Sequence, residues 1–156
     1  MVSLATQIEN YLKRLLDLSE DNMIEIQRSD LADIFMCVPS QINYVLETRF
    51  NPELGYHIET RRGGGGYIKI MKLDFDSDEN LAKLLNESKA KPTSQASGEN
   101  LIKRLLGEGL LTQREAVMLT NLMSSAFYGL PDEQTDYLRG RIIRMMLITL
   151  LRDDLE

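Results

Sequence analysis

Arg61 and Arg62 stand side by side and are followed without a break by four glycines, Gly63, Gly64, Gly65 and Gly66. Two guanidinium groups beside a stretch without side chains suit one kind of chemistry, the gripping of an anionic polymer. A bare backbone can lie against a sugar-phosphate wall, and an arginine next to it can enter a narrow minor groove, where the negative potential is strongest. A hairpin turn uses one or two glycines, and each extra one weakens an ordered fold by about 0.5–1 kcal/mol, so connection alone does not account for four. A nucleotide-cradling loop fails on context. No Gly-Lys-Ser or Gly-Lys-Thr is present at this stretch, and the glycines lead into a β-patterned run instead of a helix.

A second set of polar side chains lies in "PSQINYVLETRF". Its apolar residues Ile42, Val45 and Leu46 repeat at helical spacing, which turns Ser40, Gln41, Asn43, Tyr44, Glu47 and Thr48 outward. Glutamine and asparagine can pair bidentately with adenine, while serine, threonine and tyrosine can reach phosphates or base edges. Arg28, Ser29 and Arg49, with the N–H groups that open the helices, suit phosphates. Other chemistries lack their residues. There is one cysteine, Cys37, and one histidine, His57, on different elements. They cannot make a zinc site without several carboxylates. No Ser/His/Asp arrangement with a glycine elbow is present. The expectation is therefore no enzyme, no metal and no cofactor.

The elements that must position these residues follow from periodicity. Residues 4–16 place Ile8, Tyr11, Leu12, Leu15 and Leu16 on one helical face, and "SEDN" breaks the helix. Ser29 is placed to cap a short second helix with Leu31, Ile34 and Phe35 inward. A tight turn at Cys37-Val38 leads to Pro39, whose missing N–H suits the first position of a third helix. "YHIET" and "YIKIMK" alternate as strands, the first with Tyr56 and Ile58 on one face, the second with Ile68 and Ile70, and Arg61 to Gly66 form the loop between them. Two helices joined by a tight turn, the second polar outward, make a helix-turn-helix, whose second helix enters the major groove with its N-terminal residues leading. The hairpin then reads as its wing.

Beyond residue 73 the pattern is helical. An acidic connector, a short helix around Leu81, Leu84 and Leu85, and a polar stretch at 89–100 that reads as a linker come first. Helices follow at about 100–106, from a capping box of Thr112 and Glu115 to about Tyr128, and from Pro131 to near Asp153. The last carries Ile142, Ile143, Met145, Met146, Leu147, Ile148, Leu150 and Leu151, more apolar surface than a one-sided helix needs. Burial against a second copy accounts for it, and the expectation is a homodimer. The competing reading is a broad stripe closing one bundle within the chain. The expected architecture is mostly α with a small β-hairpin: a winged helix-turn-helix domain over 1–73 and a helical dimerisation domain over 74–156.

The 156 residues carry a formal charge of −6, which argues against broad affinity for nucleic acid. The charge is uneven. Residues 40–72 hold five basic against three acidic side chains, and residues 74–156 hold ten against fourteen. An anionic ligand should meet the first half. No secretion-like leader opens the chain. The run "IIRMMLITLL" contains an arginine and is about half the length of a membrane span, so the expectation is a cytoplasmic protein.

At "CVPSQINYVLETRF" and "GYHIETRRGGGGYIKI" the sequence closely resembles the CtsR family, repressors of class III heat-shock and clp genes in Gram-positive bacteria. The resemblance implies a dimer of winged helix-turn-helix subunits on tandem-repeat double-stranded operators. It implies heat release through the glycine-rich wing. It also implies control by a protein arginine kinase acting on wing arginines and by Clp proteolysis. By motif, the phosphorylated arginine corresponds to Arg62 and the heat-sensing glycines to Gly63, Gly64, Gly65 and Gly66. Lys69 departs from the arginine that the resemblance implies at this position, and the positive charge is kept. The alternative function is a winged domain that docks a protein through the same surface; steep loss of binding with salt would mark DNA.

Overall fold

In a computed structural model of the chain, residues 2–62, 66–76, 78–88 and 91–155 are described. They form two compact units, Met1–Glu79 with Leu151–Glu156, and Asn80–Leu150. No helix among the described residues is long and apolar enough to cross a membrane.

In the first unit, helix α1 (Leu4–Leu18) starts at Ser3, whose hydroxyl accepts from the Thr6 N–H at 3.2 Å. Its i, i+4 series Ile8, Leu12 and Leu16 is buried. A strand absent from the sequence reading follows, β1 (Met23–Gln27), whose Ile24 and Ile26 alternate toward the core. It runs directly into α2 (Arg28–Phe35). Gln27, not Ser29, therefore occupies the cap position, and no side chain caps the helix. Ser29 lies inside the first turn. Leu31 is buried as expected, but Ile34 is exposed, because the second buried position of this short helix is Ala32.

Helix α2 ends on Met36 in the left-handed region, φ 51° and ψ 49°. The Cys37 N–H donates to the Ala32 carbonyl and the Met36 N–H to that of Asp33, closing a Schellman turn. Helix α3 (Pro39–Arg49) then opens on Pro39 and buries Ile42, Val45 and Leu46. The hairpin strands are β2 (Tyr56–Arg61) and β3 (Tyr67–Lys72). Arg61 is thus the last strand residue, paired with Tyr67, and not part of the loop.

β1 completes an antiparallel sheet of order β1-β3-β2. One face presents Ile24, Ile26, Ile58, Ile68 and Ile70 to the helices. The other carries rows of cross-strand neighbours, Met23–Met71–His57, Glu25–Lys69–Glu59 and Gln27–Tyr67–Arg61. The end of the chain returns to this unit. The Asp74 N–H donates to the Leu151 carbonyl at 2.7 Å, Leu73 bridges to Arg152, and a 3-10 turn follows at Asp153–Leu155.

The second unit contains α4 (Glu79–Ser88), α5 (Gln95–Gly107), α6 (Gln113–Leu122), a single turn α7 (Ser125–Tyr128) and α8 (Asp132–Leu151). α5 begins inside the stretch read as a linker, because Ser94 caps it by accepting from the Ser97 N–H. Lys89 and Ala90 of that stretch lie outside the described residues. The Thr112–Glu115 capping box forms as expected. The helix it opens stops at Leu122, and α7 is separate.

Arg139 is buried at the centre of this unit. Its guanidinium donates to the carbonyls of Met123 and Thr93, to the Ser125 hydroxyl and to Asp136. One side chain thus ties α8 to the ends of three other segments, and all three of its nitrogens are partnered in the interior. Gly98 and Gly140 leave room for this arrangement: a Cβ at Gly140 would overlap the Lys91 carbonyl oxygen.

Candidate nucleic-acid interface

Helix α3 holds its polar row outward because three apolar residues lock the opposite face into the core. Ser40, Gln41, Asn43, Tyr44, Glu47 and Thr48 are all exposed. Their amide and hydroxyl groups stand on a rigid element, as readout of base edges requires. The Thr48 hydroxyl donates to the Tyr44 carbonyl at 2.6 Å, so its proton is engaged within the helix.

Arg49 ends the helix. Its Nη1 lies 2.7 Å from Glu9 Oε1 of α1, and Lys13 Nζ lies 2.6 Å from the other oxygen of that carboxylate. The hydrogen bond from Lys13, with the added pull of Arg49, holds the Glu9 carboxyl below its ordinary range. Part of Arg49's donor set is therefore committed inside the protein.

The wing residues sit at the far end of the sheet. Arg61 extends its guanidinium over the Tyr67 ring, 6.0 Å from the centroid. Arg62 is exposed and forms no ion pair among the described residues. Gly63, Gly64 and Gly65, the centre of the expected DNA-contacting and heat-sensing tip, lie outside the described residues. Gly66 takes φ +81°, a conformation that glycine adopts without strain. Arg28 and Ser29 open α2 beside it, and the Arg28 N–H donates to the Gly66 carbonyl at 2.7 Å.

Behind the wing the outer sheet face carries an ionic cluster that sequence reasoning missed. Arg152 lies 3.5 Å from Glu59 and 2.7 Å from Asp154. The Arg152 hydrogen bond lowers the Asp154 pKa and raises that of Arg152. His57 lies under this cluster with a side chain only 12% exposed. Burial holds its imidazole below the ordinary value, against the opposing pull of Glu59. The position of His57 on a strand is readable from alternation. Its cover is not, because the covering residues lie more than ninety positions later.

In the second unit an apolar groove of about 570 Å³ runs between α6 and α8, lined by Met118, Leu119, Leu122, Ile142, Met145 and Leu150 among others. Met118 and Met145 are about half exposed. Of the eight apolar residues read on the last helix, Ile143, Met146, Leu147, Ile148 and Leu151 are buried within the single chain, while Ile142, Met145 and Leu150 line the open groove. Among the described residues no cluster of His, Cys, Asp or Glu could hold a metal ion.

A helix-turn-helix with a polar second helix and a basic hairpin, followed by a helical unit with an open apolar groove, defines a winged helix-turn-helix protein. Family models described as "CtsR N-terminal HTH domain" and "CtsR C-terminal dimerization domain" match residues 3–74 and 77–148. The chain belongs to the CtsR family. It is 43% identical to the transcriptional regulator CtsR of Geobacillus stearothermophilus over 150 residues, covering 96% of this chain and 98% of that one. It is 42% identical to that of Bacillus subtilis (strain 168), covering 92% and 93%. A crystal structure of CtsR in complex with a 26-bp DNA duplex matches with a TM-score of 0.50 at 43% identity, covering 95% of this chain and 98% of that one.

Proposed function

We propose that this chain is a dimeric transcriptional repressor that binds tandem-repeat operator DNA upstream of heat-shock and clp genes in the cytoplasm. Helix α3 enters the major groove through Ser40, Gln41, Asn43, Tyr44 and Thr48, and the hairpin brings Arg61, Arg62 and Gly63–Gly66 to the adjacent minor groove. Arg28, Ser29 and Arg49 face phosphates. Two copies join through the groove between α6 and α8. The observation that carries this reading is the α3 face: six exposed polar side chains in one row, backed by three buried apolar ones. The solved relative with its duplex supports the same ligand class.

The wing supplies the control. A tip with no apolar mass opens at lower free energy than the core, so warming loosens it first and the protein leaves DNA. Phosphorylation of Arg62 by a protein arginine kinase replaces a cation with an anion and blocks its fork of donors, turning attraction to phosphate into repulsion. Released protein is then a substrate for Clp proteolysis.

Fluorescence anisotropy with a labelled tandem-repeat operator tests this, using wild type and Arg62→Ala at two temperatures and two salt concentrations. The expected result is tight binding that falls steeply with salt and with heat, and is about tenfold weaker in the variant. Binding that is absent, or indifferent to Arg62, would overturn the reading and leave a protein partner for the wing.

A further inference from the structure

Arg28 begins α2 where β1 ends, and it meets the root of the wing. The β1–β3 register closes with Gln27 opposite Tyr67. The Arg28 N–H carries the pairing one step further, onto the Gly66 carbonyl at 2.7 Å. Its side chain then lies across the glycine. A Cβ built at Gly66 would stand 2.9 Å from Arg28 Nη1 and 3.2 Å from Arg28 Cβ, so both stem and guanidinium occupy the space a side chain would need. Arg28 Nε is buried and has no hydrogen-bond acceptor among the described residues. A burial that leaves a donor unsatisfied is a poor way to hold an arginine meant only for solvent or a phosphate.

We propose that Arg28 is a positioning residue for the wing, and that its side chain, with the left-handed backbone of residue 66 at φ +81°, leaves that position to glycine. The stem and plane of Arg28 fasten the β3 side of the tip to the first residue of the helix-turn-helix, fixing the distance between the two DNA-contacting elements. This rests on the wing contacting DNA, as proposed above. Lysine cannot substitute, since it offers a charge but no planar group to cover the glycine.

The test uses the full-length protein with Arg28→Ala, Arg28→Lys, Arg62→Ala and the Arg28→Ala/Arg62→Ala double variant. Operator affinity is read by anisotropy, and amide hydrogen exchange at residues 66–68 is read without DNA. The expected result is a loss of about tenfold in both Arg28 variants. That loss shrinks in the Arg62→Ala background, because the Arg62 contact that Arg28 positions is gone. Exchange at 66–68 quickens while α1 and α3 keep their protection.

A lysine variant that binds like wild type, with the alanine loss undiminished in the Arg62→Ala background and exchange unchanged, would leave Arg28 with the phosphate contact alone and overturn its positioning role. Loss of protection throughout the first unit would make its role merely structural and also overturn it. Should Arg28→Ala not fold, Arg28→Gln, which keeps part of the stem but lacks the guanidinium, is read in the same two ways. If Arg62→Ala binds like wild type, the wing reading has failed, and the exchange measurement alone judges whether Arg28 holds the wing root.

Discussion

Arg49 at the end of α3 is ion-paired to Glu9 of α1 across 2.7 Å, and the same carboxylate holds Lys13. The α3 helix is therefore tethered at its last residue to an element forty positions earlier. Glu9→Gln should lower the stability of the first unit by about 0.5–1 kcal/mol, the range of a well-formed but partly solvated pair. Because the folded carboxyl is held below its ordinary range, its contribution is present above the unfolded value and is lost as pH falls through the folded one. Acid titrations followed by circular dichroism should show wild type losing more stability than the variant over that interval.

The outward row of α3 should separate function from folding. Gln41→Ala and Asn43→Ala are each expected to weaken operator binding by about 1–3 kcal/mol and relax base preference at one position. Both sites are exposed, so the melting temperature should hardly move. Ile42→Ala, one residue away and fully buried, should instead cost about 2–5 kcal/mol of stability. Melting curves beside operator titrations would distinguish the two behaviours.

His57 gives the sheet a pH dependence near neutrality. It is nearly covered, its imidazole is held below the ordinary value of 6.5, and Glu59, Arg152 and Asp154 face it. The unfolded chain binds this proton more readily than the folded one. Stability therefore falls as pH drops from about 7 through the unfolded pKa toward the folded one. His57→Gln should flatten that slope. Denaturant melts at several pH values would check it; an equal slope in both proteins would remove His57 as the cause.

Gly140 has the tightest surroundings of the glycines described in the second unit. Alanine there would overlap the Lys91 carbonyl oxygen and press on the segment whose Thr93 carbonyl Arg139 holds. Gly140→Ala should destabilise this unit by at least about 1–3 kcal/mol. The loss should appear as a lower melting temperature and as dissociation in light scattering.

Much of this arrangement is legible in the chain itself. Helix α3 reads correctly because Pro39 fixes its start and the buried and polar rows separate cleanly at helical spacing. The Thr112–Glu115 box reads correctly because its two hydrogen bonds are local. β1 is not legible because "MIEIQ" is short and becomes a strand only by pairing with β3, some forty-five residues on. The exposure of Ile34 is not legible, because in an eight-residue helix Ala32 can take the buried position instead. The start of α5 is hidden because its cap, Ser94, lies in a stretch whose composition reads as loop. The Arg152 cluster and the seat of Arg28 are tertiary facts, without periodicity to announce them.

The return of the chain end to the first unit bears on how the protein is made. Residues 151–155 close over the outer face of the sheet, so the unit that begins the chain also contains its last described residues. A ribosome delivers α1, the helix-turn-helix and the hairpin early, but this unit is complete only once residue 155 has emerged, after all of α4 to α8. Vectorial synthesis therefore delays the finished DNA-binding unit until the segment for self-association exists. By the same logic, a fragment cut after residue 79 would lack the Arg152 cover of His57 and Glu59.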